Sequence, residues 1–292
     1  ADYKLARKLT DHLKKPKEFL AGNHEIIYHR DLSSTGKLVP ADSYERGLHM
    51  QQYEKDFGPL YHSRKLGSYF LLFLSPDTLE SKYAVELSKE QLDWLKKELK
   101  DHRQEPTLIF CHAPVTGTMV PGSKLDKPRN YVQPAKAIGK LLRANPQILL
   151  WVSGHTHTSP KNPSFSNPVN QIAGTAILDV YNPTWDGKQV WTNSLYLYPE
   201  KILIRTYSHK THQWLPRRPG PVDGHRPGVF GMDRVLCEGT RNKKRIRKTG
   251  VLHATCSTLF LIKYCKLFSS RFFPDSFGWM RNNALCLPPG CW

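Results

Sequence analysis

The chain reads as a mixed α/β sandwich, and three observations lead there. Helix-like and strand-like segments alternate as far as Pro160, and short strand-like segments replace them afterwards. The run Tyr69-Phe70-Leu71-Leu72-Phe73-Leu74 is continuous rather than alternating, as in a strand covered on both faces. At 292 residues the chain is long enough for one large α/β domain, or one domain and an appendage.

Taken in order, residues 3–13 carry Leu5, Leu9 and Leu13 at i, i+4, i+8, one apolar stripe on a charged helix. A helix of this kind at the start of the chain, with nothing earlier to cover it, predicts further sequence upstream. Residues 17–21 form a short strand into the turn Gly22-Asn23-His24-Glu25, and a helix follows from Ser43 to about Glu54. After the apolar strand 69–74, Ser88 is an N-cap with Gln91 closing a capping box, and Leu92, Leu95 and Leu99 line the buried face of that helix. Strand 107–111 stops at His112. A helix from about Pro134 to Ala144 leads to strand 147–152, which stops at Gly154-His155. Residues 194–198 and 202–207 read as a closing hairpin, followed by His209 and Trp214.

Past Trp214 the pattern stops, so the chain divides at 1–214 and 215–292. The second part holds fourteen Lys/Arg against four Asp/Glu, and Cys237, Cys256, Cys265, Cys286 and Cys291, whereas the first holds Cys111 alone. Prolines 216, 219, 221 and 227 break any element, and 241–248 is almost wholly basic. This composition predicts a basic, irregular, non-native or disordered tail, such as the product of a shifted reading frame. A solvated basic tail and a nucleic-acid or nuclear-import segment are the alternatives. The lone half-buried thiol of 1–214 fits a reducing, cytoplasmic compartment. No run reaches the roughly eighteen apolar residues of a membrane span; the nearest, Val251 to Phe268, is interrupted by Lys263 and Lys266.

The chemistry sits in three loops. Gly22-Asn23-His24-Glu25, Cys111-His112-Ala113-Pro114 and Gly154-His155-Thr156-His157 each follow strand-like residues and together offer one amide and four imidazoles. Divalent Zn, Mn, Fe or Co accepts imidazole nitrogen and amide oxygen, and in open α/β sheets ligands converge at the carboxyl ends of strands. An extended His155-Thr156-His157 would let both rings reach one site. Asn after Gly is also a common turn pair, and a His at a strand end is ordinary alone, so the metal reading rests on all three loops together. His12, His29, His49, His62 and His102 read as solvated, Cys111 as core, and the cluster Tyr181, Trp185, Trp191, Tyr196 and Tyr198 as packing, with 181–191 a possible rim of the site.

In that order and spacing the three loops resemble motifs of the calcineurin-like metallophosphoesterase superfamily. The Gly154–His157 string is similar to its cyclic-nucleotide-phosphodiesterase-like branch, and Gly22–Glu25 alone would also suit protein Ser/Thr phosphatases. The resemblance covers roughly residues 1 to 214. It implies a sandwich of two mixed β-sheets flanked by helices, here lacking its first strands. It also implies two divalent metals (Mn, Fe or Zn) per intact site. Carried over, Asn23, His112 and His155 bind one metal and His157 the second. His24 holds the phosphate and protonates the leaving oxygen, and Glu25 orients His24. The activity implied is hydrolysis of a phosphodiester or phosphomonoester of a small molecule by metal-activated hydroxide. The family's Asp-x-His and Gly-Asp motifs are not in this sequence, and Asp2 reads as a surface or N-cap residue, not a bridging ligand. The competing expectations are an inactive, N-terminally truncated fragment binding at most one metal and, further off, a basic protein contacting nucleic acid through its tail.

Overall fold

A computed structural model describes residues 2–30, 37–160, 162, 171–182, 190–199 and 202–215, with the backbone of 234–236, 250–254 and 259–263. Its centre is a five-stranded sheet in the order β4 (His62–Leu66), β5 (Tyr69–Leu74), β6 (Thr107–Cys111), β7 (Ile148–Ser153) and β8 (Leu178–Tyr181). The β4–β5 pair is antiparallel and the other pairs are parallel. Every side chain of β5 and β6 is buried, as their continuous apolar composition predicts.

One face of this sheet carries α4 (Lys89–Asp101) and α5 (Ala135–Ala144), whose Leu92, Leu95, Leu99, Ile138, Leu141 and Leu142 share a core with Phe70, Leu72, Ile109 and Trp151. Ser88 Oγ accepts from Gln91 N at 3.0 Å as predicted. The reciprocal half of the box is replaced, because the Gln91 amide turns inward and donates to Ser75 O at 2.9 Å. The other face packs Leu71, Phe73, Leu108, Phe110, Leu150 and Val152 against Leu195, Leu197, Ile202 and Ile204 of a second sheet. That sheet runs β1 (Lys17–Phe19), β14 (Leu259–Lys263), β13 (Gly250–Ala254), β9 (Trp191–Leu197), β10 (Ile202–Ser208) and β11 (Gln213–Trp214), with β12 (Arg234–Leu236) also paired to β10. Two sheets with flanking helices make the expected sandwich.

Three short strands thus come from the stretch whose sequence shows no regular period. Two of them, 250–254 and 259–263, fall on its most apolar segment and meet β9 and β1, so pairing supplies what periodicity does not. The basic run 241–248 and the five later cysteines lie outside the described residues.

Helix α1 (Asp2–Asp11) packs on α3 (Ser43–Phe57) through a different face from the one its leucines suggest. Tyr3 meets Tyr53 and Phe57 edge-on, at 6.3 and 5.1 Å, whereas Leu5 is 40% exposed. A tyrosine ring simply offers more area to bury than a leucine there. The edge strand β4, with four polar residues in succession before Leu66, and the β2 (Tyr28–Arg30)–β3 (Leu38–Pro40) pair were not legible in the sequence. Four histidines expected in solvent also have structural partners: His29 lies 3.0 Å from a Glu45 carboxylate oxygen and His49 Nδ1 3.0 Å from Ile26 O. His102 stacks on Phe70 at 3.8 Å, and His62 stacks on Phe73 while meeting Glu18, which Arg64 also pairs. Among the described residues no helix is long and apolar enough to cross a membrane.

Candidate metal centre

Strands β6 and β7 are parallel neighbours, so the loops leaving their carboxyl ends lie side by side. They are tied directly: Gly154 N donates to His112 O at 2.9 Å. The third loop arrives from the other sheet. Just past β1, Ala21 N donates to the buried Ser75 Oγ at 2.8 Å, which draws the Gly22 turn to the end of β5. There α2 (Asn23–Ile26) begins with Asn23 buried.

The contact between the first two loops is close. Asn23 Oδ1 lies 2.8 Å from His112 Nε2, so the Nε2–H tautomer donates to the amide oxygen. Gly22 lies flat on the same ring, and a Cβ at this position would stand 2.8 Å from its atoms. Only glycine leaves room for His112. The rings of His112 and His155 then meet edge-on at 5.1 Å.

The electrostatics keep these rings neutral. Loss of solvation, followed by the nearby His155, His24 and His157, holds His112 well below the ordinary imidazole value. Burial, then His157, His24 and Arg129, lowers His155 to about 4. A neutral imidazole has a single lone pair, and an ion held between Asn23 Oδ1 and His112 Nε2 would take the place of the Nε2 proton.

The structure therefore brings Asn23, His24, His112, His155 and His157 within interaction range, but not in the geometry expected of the last motif. His155-Thr156-His157 is a tight turn: both histidines are left-handed, with φ of 61° and 47°, and Thr156 N donates to Gly154 O at 2.6 Å. The turn directs His155 toward His112 and leaves His157 exposed. Left-handed backbone at two non-glycine residues costs about 1–2 kcal/mol each, strain that collects at functional sites. The Glu25 carboxylate accepts from Gly22 N at 2.7 Å and so braces the Gly22 turn, while the charge of His24 acts on it from close by. His24 is exposed, and its ring lies 5.8 Å from that of Tyr28.

Two further residues shape the site without any sequence signal. Arg129 lies on the 3-10 turn Pro128–Asn130, close enough to His155 to disfavour its protonation. Asp179 is wholly buried on β8, where loss of solvation pushes its carboxyl up to about 7 against hydrogen bonds from Ser153, Val115 and Thr118. Cys111 is core, as its neighbouring position predicts, and burial pushes its thiol up to about 12.

An amide oxygen, neutral imidazoles and a glycine seat that a Cβ would fill suit one borderline divalent ion. Among the described residues no three His, Cys, Asp or Glu side chains are grouped to hold an ion.

Imidazoles from the ends of two parallel strands and an amide from the turn after β1 thus meet in one α/β sandwich. The chain belongs to the calcineurin-like phosphoesterase family, whose family model matches residues 2–159, and membership implies divalent metal ions and phosphate-ester chemistry. Among solved structures it is similar to a dimetal phosphatase from Danio rerio, at 15% identity, with 65% of this chain and 68% of that chain covered and a TM-score of 0.41. No curated protein matches the chain.

Proposed function

We propose that this chain is a metal-dependent hydrolase of a small phosphodiester or phosphomonoester, with Asn23, His112 and His155 as the donors to one divalent ion. The observation that carries this reading is the 2.8 Å approach of the Asn23 amide oxygen to His112 Nε2, from loops of two different sheets. When bound, a divalent ion polarises a phosphoryl oxygen and acidifies water. The chain's own residues set where a phosphate ester lies. His24, exposed at the mouth, is the group that protonates the leaving oxygen, and Arg129 adds positive charge beside His155 to draw in the anionic ester. His157 is the remaining donor on the exposed side, the position from which a second ion would be reached.

Hydrolysis of bis(4-nitrophenyl) phosphate and 4-nitrophenyl phosphate with added Mn²⁺ tests this. Turnover is expected to disappear in His155→Ala and to fall by about 100-fold in His24→Ala, the usual contribution of a positioned acid. Turnover unchanged by His155→Ala would contradict the assignment. A second reading is a chain that holds one ion without turnover, favoured by the absence of any three-residue His/Cys/Asp/Glu group among the described residues. Mn²⁺ binding with no hydrolysis of either ester supports that reading over the first.

A further inference from the structure

We infer that Asp179 is a positioning residue of this site: from β8 its carboxylate fastens the loop bearing His112 to the strand end bearing His155. The inference rests on the metal-binding reading above and adds to it a residue outside the three loops.

The geometry is specific. Asp179 Oδ2 accepts from Val115 N at 2.7 Å and lies 3.0 Å from Thr118 Oγ1, both on the loop that follows His112. Its other oxygen accepts from Ser153 Oγ at 2.5 Å, two residues before His155. One carboxylate therefore spans the two loops and fixes their separation, and with it the 5.1 Å approach of the two rings. The surrounding bonds continue the brace. Thr118 Oγ1 lies 2.7 Å from Tyr181 Oη, Trp151 Nε1 donates to Ala113 O at 3.0 Å, and Asn182 N donates to Ser153 O at 2.7 Å.

Val115 N and Ser153 Oγ are buried donors that an apolar side chain at this position would leave without this acceptor. What the carboxylate supplies is acceptor capacity: two oxygens can take three donors arriving from two segments, which no aliphatic or hydroxyl side chain can. A satisfied buried polar network of this kind fixes one arrangement of the segments it joins. Groups that hold metal-binding side chains in orientation typically change metal affinity by 10–100-fold when removed.

The test is Mn²⁺ binding by the full chain, read from the electron paramagnetic resonance of the free ion. Asp179→Ala is expected to weaken binding by about 10–100-fold. Asp179→Asn keeps the shape and an acceptor oxygen and is expected to recover most of that loss. Leu99→Ala, buried on α4 away from the site, destabilises the chain without loosening the loops and is expected to leave affinity unchanged. If Asp179→Ala does not fold, Ser153→Ala removes one bond to Asp179 and Thr118→Val another, the latter together with the contacts of Thr118 Oγ1 to Val115 O and Tyr181 Oη, and each is expected to weaken Mn²⁺ binding several-fold. Wild-type affinity in Asp179→Ala, in Ser153→Ala and Thr118→Val together, or a loss no greater than that of Leu99→Ala, overturns the positioning role. Wild-type protein that binds no Mn²⁺, or His155→Ala that binds as well as wild type, overturns the metal reading itself and the inference with it.

Discussion

Glu25 and Asp179 perform the same operation on opposite sides of the site, by different routes. Each is a carboxylate pushed above its ordinary range by burial, and each receives a backbone N–H from a metal-site loop at 2.7 Å, Gly22 for one and Val115 for the other. Glu25 does so within its own turn, three residues away. Asp179 does so across the sheet and ties in a second segment through Ser153. The local brace shapes one loop, whereas the distant brace sets the spacing between two. The consequences of removing them should differ accordingly.

The largest effect is expected at Asp179. Asp179→Ala leaves Val115 N and the Ser153 hydroxyl short of a buried partner, at about 1–3 kcal/mol for each unsatisfied group, whereas Thr118 keeps Val115 O and Tyr181. Chemical unfolding should report a loss of about 2–6 kcal/mol, against about 1 kcal/mol for Glu25→Ala, whose bond from Gly22 lies nearer solvent. Equal losses would erase the distinction.

Acid titration sets Asp179 against His155. The carboxyl of Asp179 stands at about 7, above its ordinary value, so its contribution to stability is fully present near pH 4 and is lost as pH rises through 7. His155 behaves oppositely. Its value is lowered to about 4, so its contribution is present above pH 6.5 and is lost as pH falls through 4. The two offset one another between pH 4 and 7. In Asp179→Asn the offset disappears, and stability should fall more steeply toward pH 4 than in wild type, by a few kcal/mol across the window. Parallel curves would show that Asp179 does not titrate there.

Gly22→Ala acts on the loop that Glu25 braces, but by steric displacement of the His112 ring. A cost of about 1–3 kcal/mol is expected from overpacking, with loss of Mn²⁺ binding under conditions where the variant is folded. The smallest effect is expected at Asp42, a third carboxylate accepting a backbone N–H, from Glu45 at 2.8 Å at the start of α3. Asp42→Ala should cost about 1 kcal/mol as an ordinary helix cap and leave Mn²⁺ affinity unchanged.

The same comparison explains what was legible in the sequence. Gly22, Asn23, His112 and His155 could be read because glycine, amide and imidazole recur in short strings after apolar strands, and strand ends of a parallel sheet converge. Strands 69–74, 107–111 and 147–152 were legible for a related reason, since burial on both faces leaves a continuous apolar run. Asp179 was not, because nothing in Leu178-Asp179-Val180-Tyr181 reveals that β8 lies beside β7. The left-handed turn at His155 and His157 was hidden too, as neither residue advertises positive φ in the way glycine does. Where meaning depends on which strands pair, as for 250–254 against β9, pattern within a segment carries little of it.

The central claim is that an amide and imidazoles from separate loops share one cation, and the visible absorption of the Co²⁺-loaded chain tests it most directly. The account predicts ligand-field bands that shift or vanish in Asn23→Ala, His112→Ala and His155→Ala alike. Bands identical to wild type in all three variants, or no bands in wild type, would contradict it.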